Sequence, residues 1–112
     1  MSIKLERINS NMVKEISYIL ATEIKDEHIK FVTVTDCHVT NDLSFAKVYI
    51  TVLDDTKKEI TLKALENAKG FIRKCLSERI DLRHIPELEF VYDNSIENGK
   101  RIEEIIEKIH KD

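Results

Sequence analysis

Apolar residues recur at spacings of three and four over residues 2–25, through Leu5, Ile8, Met12, Ile16, Ile19 or Leu20, and Ile24. That period places them along one stripe of an amphipathic helix, with Ser2 standing where a cap would sit. The pattern then changes. Phe31–Thr40 (FVTVTDCHVT) is rich in β-branched residues, and Leu43–Leu53 (LSFAKVYITVL) alternates, with Ala46, Val48, Ile50 and Val52 on one face and Phe45, Lys47, Tyr49 and Thr51 on the other. Thr40-Asn41-Asp42 between them has turn chemistry. The connection is too short for a parallel crossover, so the two strands form an antiparallel hairpin.

Asp54-Asp55-Thr56 stops the second strand, and Thr56 with Glu59 fits a capping box. Helical spacing resumes in Thr61–Arg83 as two segments. Ile60, Ala64, Leu65 and Ala68 make the first stripe; Phe71, Ile72, Cys75, Leu76 and Ile80 make the second. The join falls at Ala68-Lys69-Gly70. Gly70 is one of two glycines in the chain, and a glycine inside a helix costs about 1 kcal/mol relative to alanine, so a lone one there predicts a kink. Pro86 then introduces a third strand, Leu88–Asp93, with Leu88, Phe90 and Tyr92 on one side and Val91 on the other. Asp93-Asn94-Ser95 is a turn and cap. A last helix runs from Ile96 with Ile102, Ile105 or Ile106 and Ile109 inward, and Glu103, Glu104 and Glu107 outward. The predicted architecture is α+β: one domain over residues 1–112, a three-stranded sheet with helices packed on one face, and the other face partly exposed.

Charge adds a direction to this picture. The chain is −3 overall at a pI near 5.8, yet residues 57–84 hold eight Lys/Arg against four Asp/Glu. Local positive charge, rather than the total, makes an anion-binding face. Lys69, Arg73 and Lys74, in or just after the kink, are the first candidates for phosphate contacts. Lys57, Lys58, Lys63, Arg79 and Arg83 are a second group, since helical geometry spreads them around the axis and turns some away. Lys4 and Arg7 on the first helix extend the patch. A solvated helix surface is the alternative reading for each of them. Phe45 and Tyr49 stack on bases if their sheet face is open, or pack across the strands if it is not.

Other chemistry finds little support. Cys37 and His38 are adjacent on a strand and point to opposite faces. No CxxC, HExxH or i,i+4 histidine pair occurs among the two cysteines and His28, His38, His84 and His110, so neither a metal nor a cofactor is expected. Asp36, Asp42 and Asp93 lack a nucleophile or glycine-rich partner motif, and no enzymatic activity is expected. Nothing in the hydropathy pattern predicts a membrane span or a signal peptide, and reduced, buried cysteines fit a cytoplasmic protein.

Three longer stretches carry a resemblance: VTVTDCHVTNDLSFAKVYITVL, NAKGFIRKCLSERIDLRHIPELEFVYDNS and ENGKRIEEII. Within them, GFIR followed by LR-x-x-PEL-x-F-x-x-D is the most specific element. The element order through Leu88–Asp93 resembles the type II KH fold, and the chain from Arg7 to about Ile109 is similar to bacterial ribosome-binding factor A. In that family a helix-kink-helix of pattern A-x-G, here Ala68-Lys69-Gly70, replaces the KH loop with two glycines. Without the first glycine, close approach of a single strand to the backbone is restricted there, while Lys and Arg contacts to phosphates remain. The resemblance implies a monomeric assembly factor that binds the small ribosomal subunit (30S) and its 16S rRNA precursor, assists late maturation, and catalyses nothing. A module docking a protein partner through the acidic last helix or the exposed sheet face is the alternative. One departure stands out: Asp26-Glu27-His28 where the family often has Asp-Pro-Arg.

Overall fold

Helix α1, Ile3–Thr22, forms along the expected stripe, and Met12, Ile16 and Ile19 lie fully buried within it. Removing those three side chains from water is worth roughly 5–9 kcal/mol. The computed structural model describes residues 3–94, so Ser2 and the acidic last helix expected from Ile96 lie outside the described residues. α1 ends three residues earlier than its apolar spacing allows. Thr22 turns its hydroxyl back to the Tyr18 carbonyl (2.7 Å), and the Asp26 carboxylate takes the His28 N–H (2.9 Å), which starts a separate 3-10 turn at Glu27–Ile29. A side chain that captures a backbone donor two residues on competes with continued helix.

Strands β1, Val32–Val39, and β2, Phe45–Val52, pair antiparallel as expected. Ala46, Val48 and Ile50 face inward from β2, while Phe45 and Lys47 face out. β1 carries a bulge between Val34 and Asp36, which the β-branched run did not reveal. The extra residue resets the alternation so that Val34, Cys37 and Val39 all reach the core. At the hairpin turn Asp42 accepts from the Thr40 hydroxyl and from both the N–H and the hydroxyl of Ser44. Those bonds hold its carboxyl down at about 2. Leu43 takes up the left-handed backbone conformation the turn needs, at φ 62°.

β3, Glu87–Tyr92, joins the free side of β2 in parallel, with Phe45 opposite Glu87 and Ile50 opposite Tyr92. A parallel neighbour requires a long crossover, and helix α2, Lys58–Arg79, supplies it. The sheet order is β1-β2-β3. α1 lies over β1 and α2 over β3, both on the same face, and the two helices touch. The core between them is a single cluster in which Leu65, Ile72 and Leu76 of α2 meet Val48 and Ile50 of β2 and Leu88 of β3.

Two local expectations about α2 are corrected. The two helical segments divided at Ala68-Lys69-Gly70 are one uninterrupted helix of 22 residues. Burial of Ala64, Leu65, Ile72, Cys75 and Leu76 along one face outweighs the ~1 kcal/mol that a single glycine costs. Nor does the capping box at Thr56 and Glu59 form. Asp54 instead accepts from the Thr56 N–H (3.0 Å) and hydroxyl (2.7 Å), a 3-10 turn runs Asp55–Lys57, and Lys57 at the cap position makes no side-chain capping bond. Two bonds to one carboxylate are the stronger local solution, and they lower the Asp54 pKa.

Candidate nucleic-acid interface

Because α2 buries Thr61, Ala64, Leu65, Ile72, Cys75 and Leu76, helical geometry sorts its basic residues into three groups. The first faces solvent. Lys63, Asn67, Gly70 and Lys74, at i, i+4, i+7 and i+11, are all exposed and form a stripe about 16 Å long. Among the described residues neither Lys63 nor Lys74 has an ion-pair partner. Phe71 and Ile60, both exposed, flank the stripe.

The second group turns toward β3 and the loop before it. Lys58 stands 4.3 Å over the Tyr92 ring, and Lys69 pairs with Glu66 at 2.7 Å. Arg73 sends Nη2 to the Ile85 carbonyl (2.8 Å) and Nε to the Pro86 carbonyl (3.1 Å), with Nη1 3.7 Å from Glu87. Pro86 is fully buried. Arg73 therefore fastens the entry to β3 against α2, through two of the five N–H donors of its guanidinium. The third group consists of Arg79, which turns toward α1, hydrogen-bonds Glu15 and lies 4.1 Å over the Tyr18 ring. Its pKa is raised, first by that hydrogen bond. Lys57 and Arg83 are exposed off the two ends of α2, so the eight candidates do not form one patch. Spacing alone held the signal for the stripe; the commitments of Arg73 and Arg79 depend on loops and a helix distant in sequence.

Gly70 sits in the middle of the solvent stripe. Ala68, beside it, is half-buried against the core. A Cβ built on Gly70 meets nothing within 4 Å, and its φ is not positive, so nothing inside the fold demands glycine. Gly70→Ala is accordingly expected to stabilise the domain by about 0.5–1 kcal/mol, read as a higher urea midpoint at unchanged m-value. An unchanged or lower midpoint would refute the account of this helix.

The remaining candidates are simpler. Phe45 is 60% exposed, so its sheet face is open, whereas Tyr49 packs edge-on against His38 across the strands at 5.5 Å. Burial, with Asp36 adding to it, pushes the Cys37 thiol up to about 12, and burial raises Cys75 as well, so neither is a thiolate nucleophile near neutrality. No helix among the described residues is long and apolar enough to cross a membrane.

The fold and the stripe together define a KH-like α+β domain: a mixed three-stranded sheet, helices on one face, and free lysines on the outer surface of the second helix. The sequence matches the family model of ribosome-binding factor A over residues 4–106, and the chain belongs to that family. A relative, ribosome-binding factor A of Staphylococcus carnosus, is 51% identical over 110 residues, covering 97% of this chain and 96% of its own. Among solved structures, ribosome-binding factor A of Thermus thermophilus superposes with a TM-score of 0.72 at 22% identity, over 79% of this chain and 94% of that one. A homology model of the Thermus thermophilus protein, as fitted into the cryo-EM map of a 30S–RbfA complex, gives 0.66 at 22% identity, over 77% and 91%. At those identities the structural likeness concerns the fold.

Proposed function

We propose that this protein associates with the small ribosomal subunit as a monomer in the cytoplasm, and assists late maturation of 16S rRNA from its precursor by binding. The observation that carries the reading is the solvent stripe of α2, where Lys63 and Lys74 are exposed, and without an ion-pair partner among the described residues, on either side of Asn67 and Gly70. Free ammonium groups on a rigid helix suit phosphate oxygens, which fix position rather than read sequence. A glycine with open space above it lets an RNA backbone lie closer to the helix than any other residue would allow. The family membership supports the partner, as does the related protein whose complex is with 30S. Lys57 and Arg83, exposed at the ends of α2, extend the surface; Lys69 contributes after exchanging Glu66 for a phosphate. Lys58, Arg73 and Arg79 are left with structural roles.

A second reading rests on the open sheet face around Phe45, which suits a protein partner. Salt separates the two. For about four phosphate contacts, raising salt from ~50 to ~200 mM weakens binding roughly a hundredfold through counterion release. Co-sedimentation of the chain with 30S particles across that series is expected to show such a loss. Binding that barely responds to salt would move the interface to the sheet face.

A further inference from the structure

The 3-10 turn Glu27–Ile29, the ends of the β1–β2 hairpin and the start of α2 enclose a cleft of about 470 Å³. That volume falls within the roughly 300–1,000 Å³ of small-ligand sites. It lies at the opposite end of β1 from the hairpin turn. We propose that this cleft holds one unpaired, amino-bearing base of a single-stranded RNA segment; the choice of RNA rests on the function proposed above, while the geometry stands by itself.

Two large apolar side chains form the wall. Phe31 is 61% exposed and Leu53 79% exposed, and the register pairing Val32 with Val52 makes them cross-strand neighbours just beyond that pair. A single exposed apolar residue needs no explanation. Here two stand side by side, and both also border a second hollow reaching Thr33 and Thr51 on the outer sheet face. They form a ridge between two recesses, both of which the Phe31 ring lines. Lys30 lies 5.7 Å from the Phe31 ring centroid.

At the helical side of the cleft is Thr61, the buried polar side chain of the described core, 3% exposed. Its hydroxyl makes no hydrogen bond among the described residues, yet no side-chain oxygen there is both buried and unsatisfied. What remains accessible of Thr61 must therefore include the hydroxyl oxygen, at the cleft it lines. A hydroxyl so placed is a donor and an acceptor awaiting a partner.

Charge narrows the occupant. Lys30 and Lys57 line the cleft against Glu27 and Asp54, two ammonium groups against two carboxylates, so an isolated anion gains little. Both Thr56 bonds fall on Asp54 Oδ1, so the acceptors facing the cleft are the Glu27 carboxylate and Asp54 Oδ2. A neutral planar ring stacked on Phe31, with an exocyclic amino group toward one of these carboxylates and another edge atom toward Thr61, uses all three features. Unpaired bases are recognised in this way, by stacking and by hydrogen bonds to their edges, and carboxylates accept from the cytosine amino group.

Fluorescence anisotropy with end-labelled hexacytidylate and hexauridylate tests this on the full chain, alongside 30S co-sedimentation. The chain should bind hexacytidylate more tightly than hexauridylate. Phe31→Ala should weaken hexacytidylate at least fivefold, the loss expected for one base stacked on an aromatic ring. Thr61→Val, nearly isosteric, should reduce the preference between the two RNAs while circular dichroism shows the fold intact. Absent hexamer binding, equal affinity for both RNAs, or an unaffected Phe31→Ala overturns the proposal. So does loss of 30S binding in Phe31→Ala without hexamer binding, which would assign the cleft to a protein side chain. The function proposed above fails separately, if the unaltered chain shows no salt-sensitive 30S binding.

Discussion

Reversing both free charges of the α2 stripe, Lys63→Glu with Lys74→Glu, is expected to weaken binding to 30S particles by at least roughly a hundredfold. Hydrogen bonds to charged groups contribute about 1.5–3 kcal/mol each, so two lost contacts amount to about 3–6 kcal/mol, before repulsion from the new carboxylates is added; each 1.4 kcal/mol is tenfold. Both side chains are exposed and have no ion-pair partner among the described residues, so folding stability should change by no more than about 0.5 kcal/mol per site, the ordinary range for surface positions. The control is Lys47→Glu, the same charge reversal made at one site, beside Phe45 on the outer sheet face. If Lys47→Glu abolishes co-sedimentation and the double variant does not, the interface belongs to the sheet.

Arg73→Ala should instead act on the fold. It removes the donors that meet the carbonyls of Ile85 and Pro86 and leaves those acceptors beside a buried proline. Because the Arg73 side chain is about a third exposed, water can replace part of what is lost. The expected cost is about 2–3 kcal/mol, reduced by that hydration from the roughly 3–6 kcal/mol that two hydrogen bonds to a charged group contribute. For a domain of this size that lowers the melting temperature by about 10 °C or more. Arg73→Lys should recover little, because one ammonium cannot reproduce the guanidinium fork to two carbonyls. Thermal unfolding followed by circular dichroism decides the matter. A melting temperature within about 2–3 °C of the unaltered chain would return Arg73 to the candidates for RNA contact. A charge reversal at Arg73 would mix these two effects, and so cannot identify a binding face.

Lys74 and Arg73 are adjacent in sequence, yet the first is exposed to solvent and the second bonds the loop before β3, a difference that helical spacing does not carry. Helical spacing distinguished buried from exposed positions on α1 and α2, and strict alternation in β2 placed Ala46, Val48 and Ile50 inward and Phe45 outward. These are local properties: the 3.6-residue and two-residue periods follow from backbone geometry, and burial has to obey them. The excess of Lys and Arg over residues 57–84 is legible for the same reason, as composition.

Tertiary structure decided the rest. Whether Gly70 breaks a helix depends on the packing available to the residues around it, and the core under α2 was sufficient to carry the helix through. The β1 bulge, the Asp54 cap and the parallel pairing of β3 each arise from competition between hydrogen-bonding partners, some of them dozens of residues apart. The functional residues divide along the same line. By itself the sequence determined that α2 is basic; only the approach of the loop before β3 and of Glu15 on α1 decided that Arg73 and Arg79 are held within the fold, while Lys63 and Lys74 face solvent with no ion-pair partner among the described residues. A charge is free for a ligand only when no nearer partner reaches it, and that depends on distances in three dimensions rather than spacing along the chain.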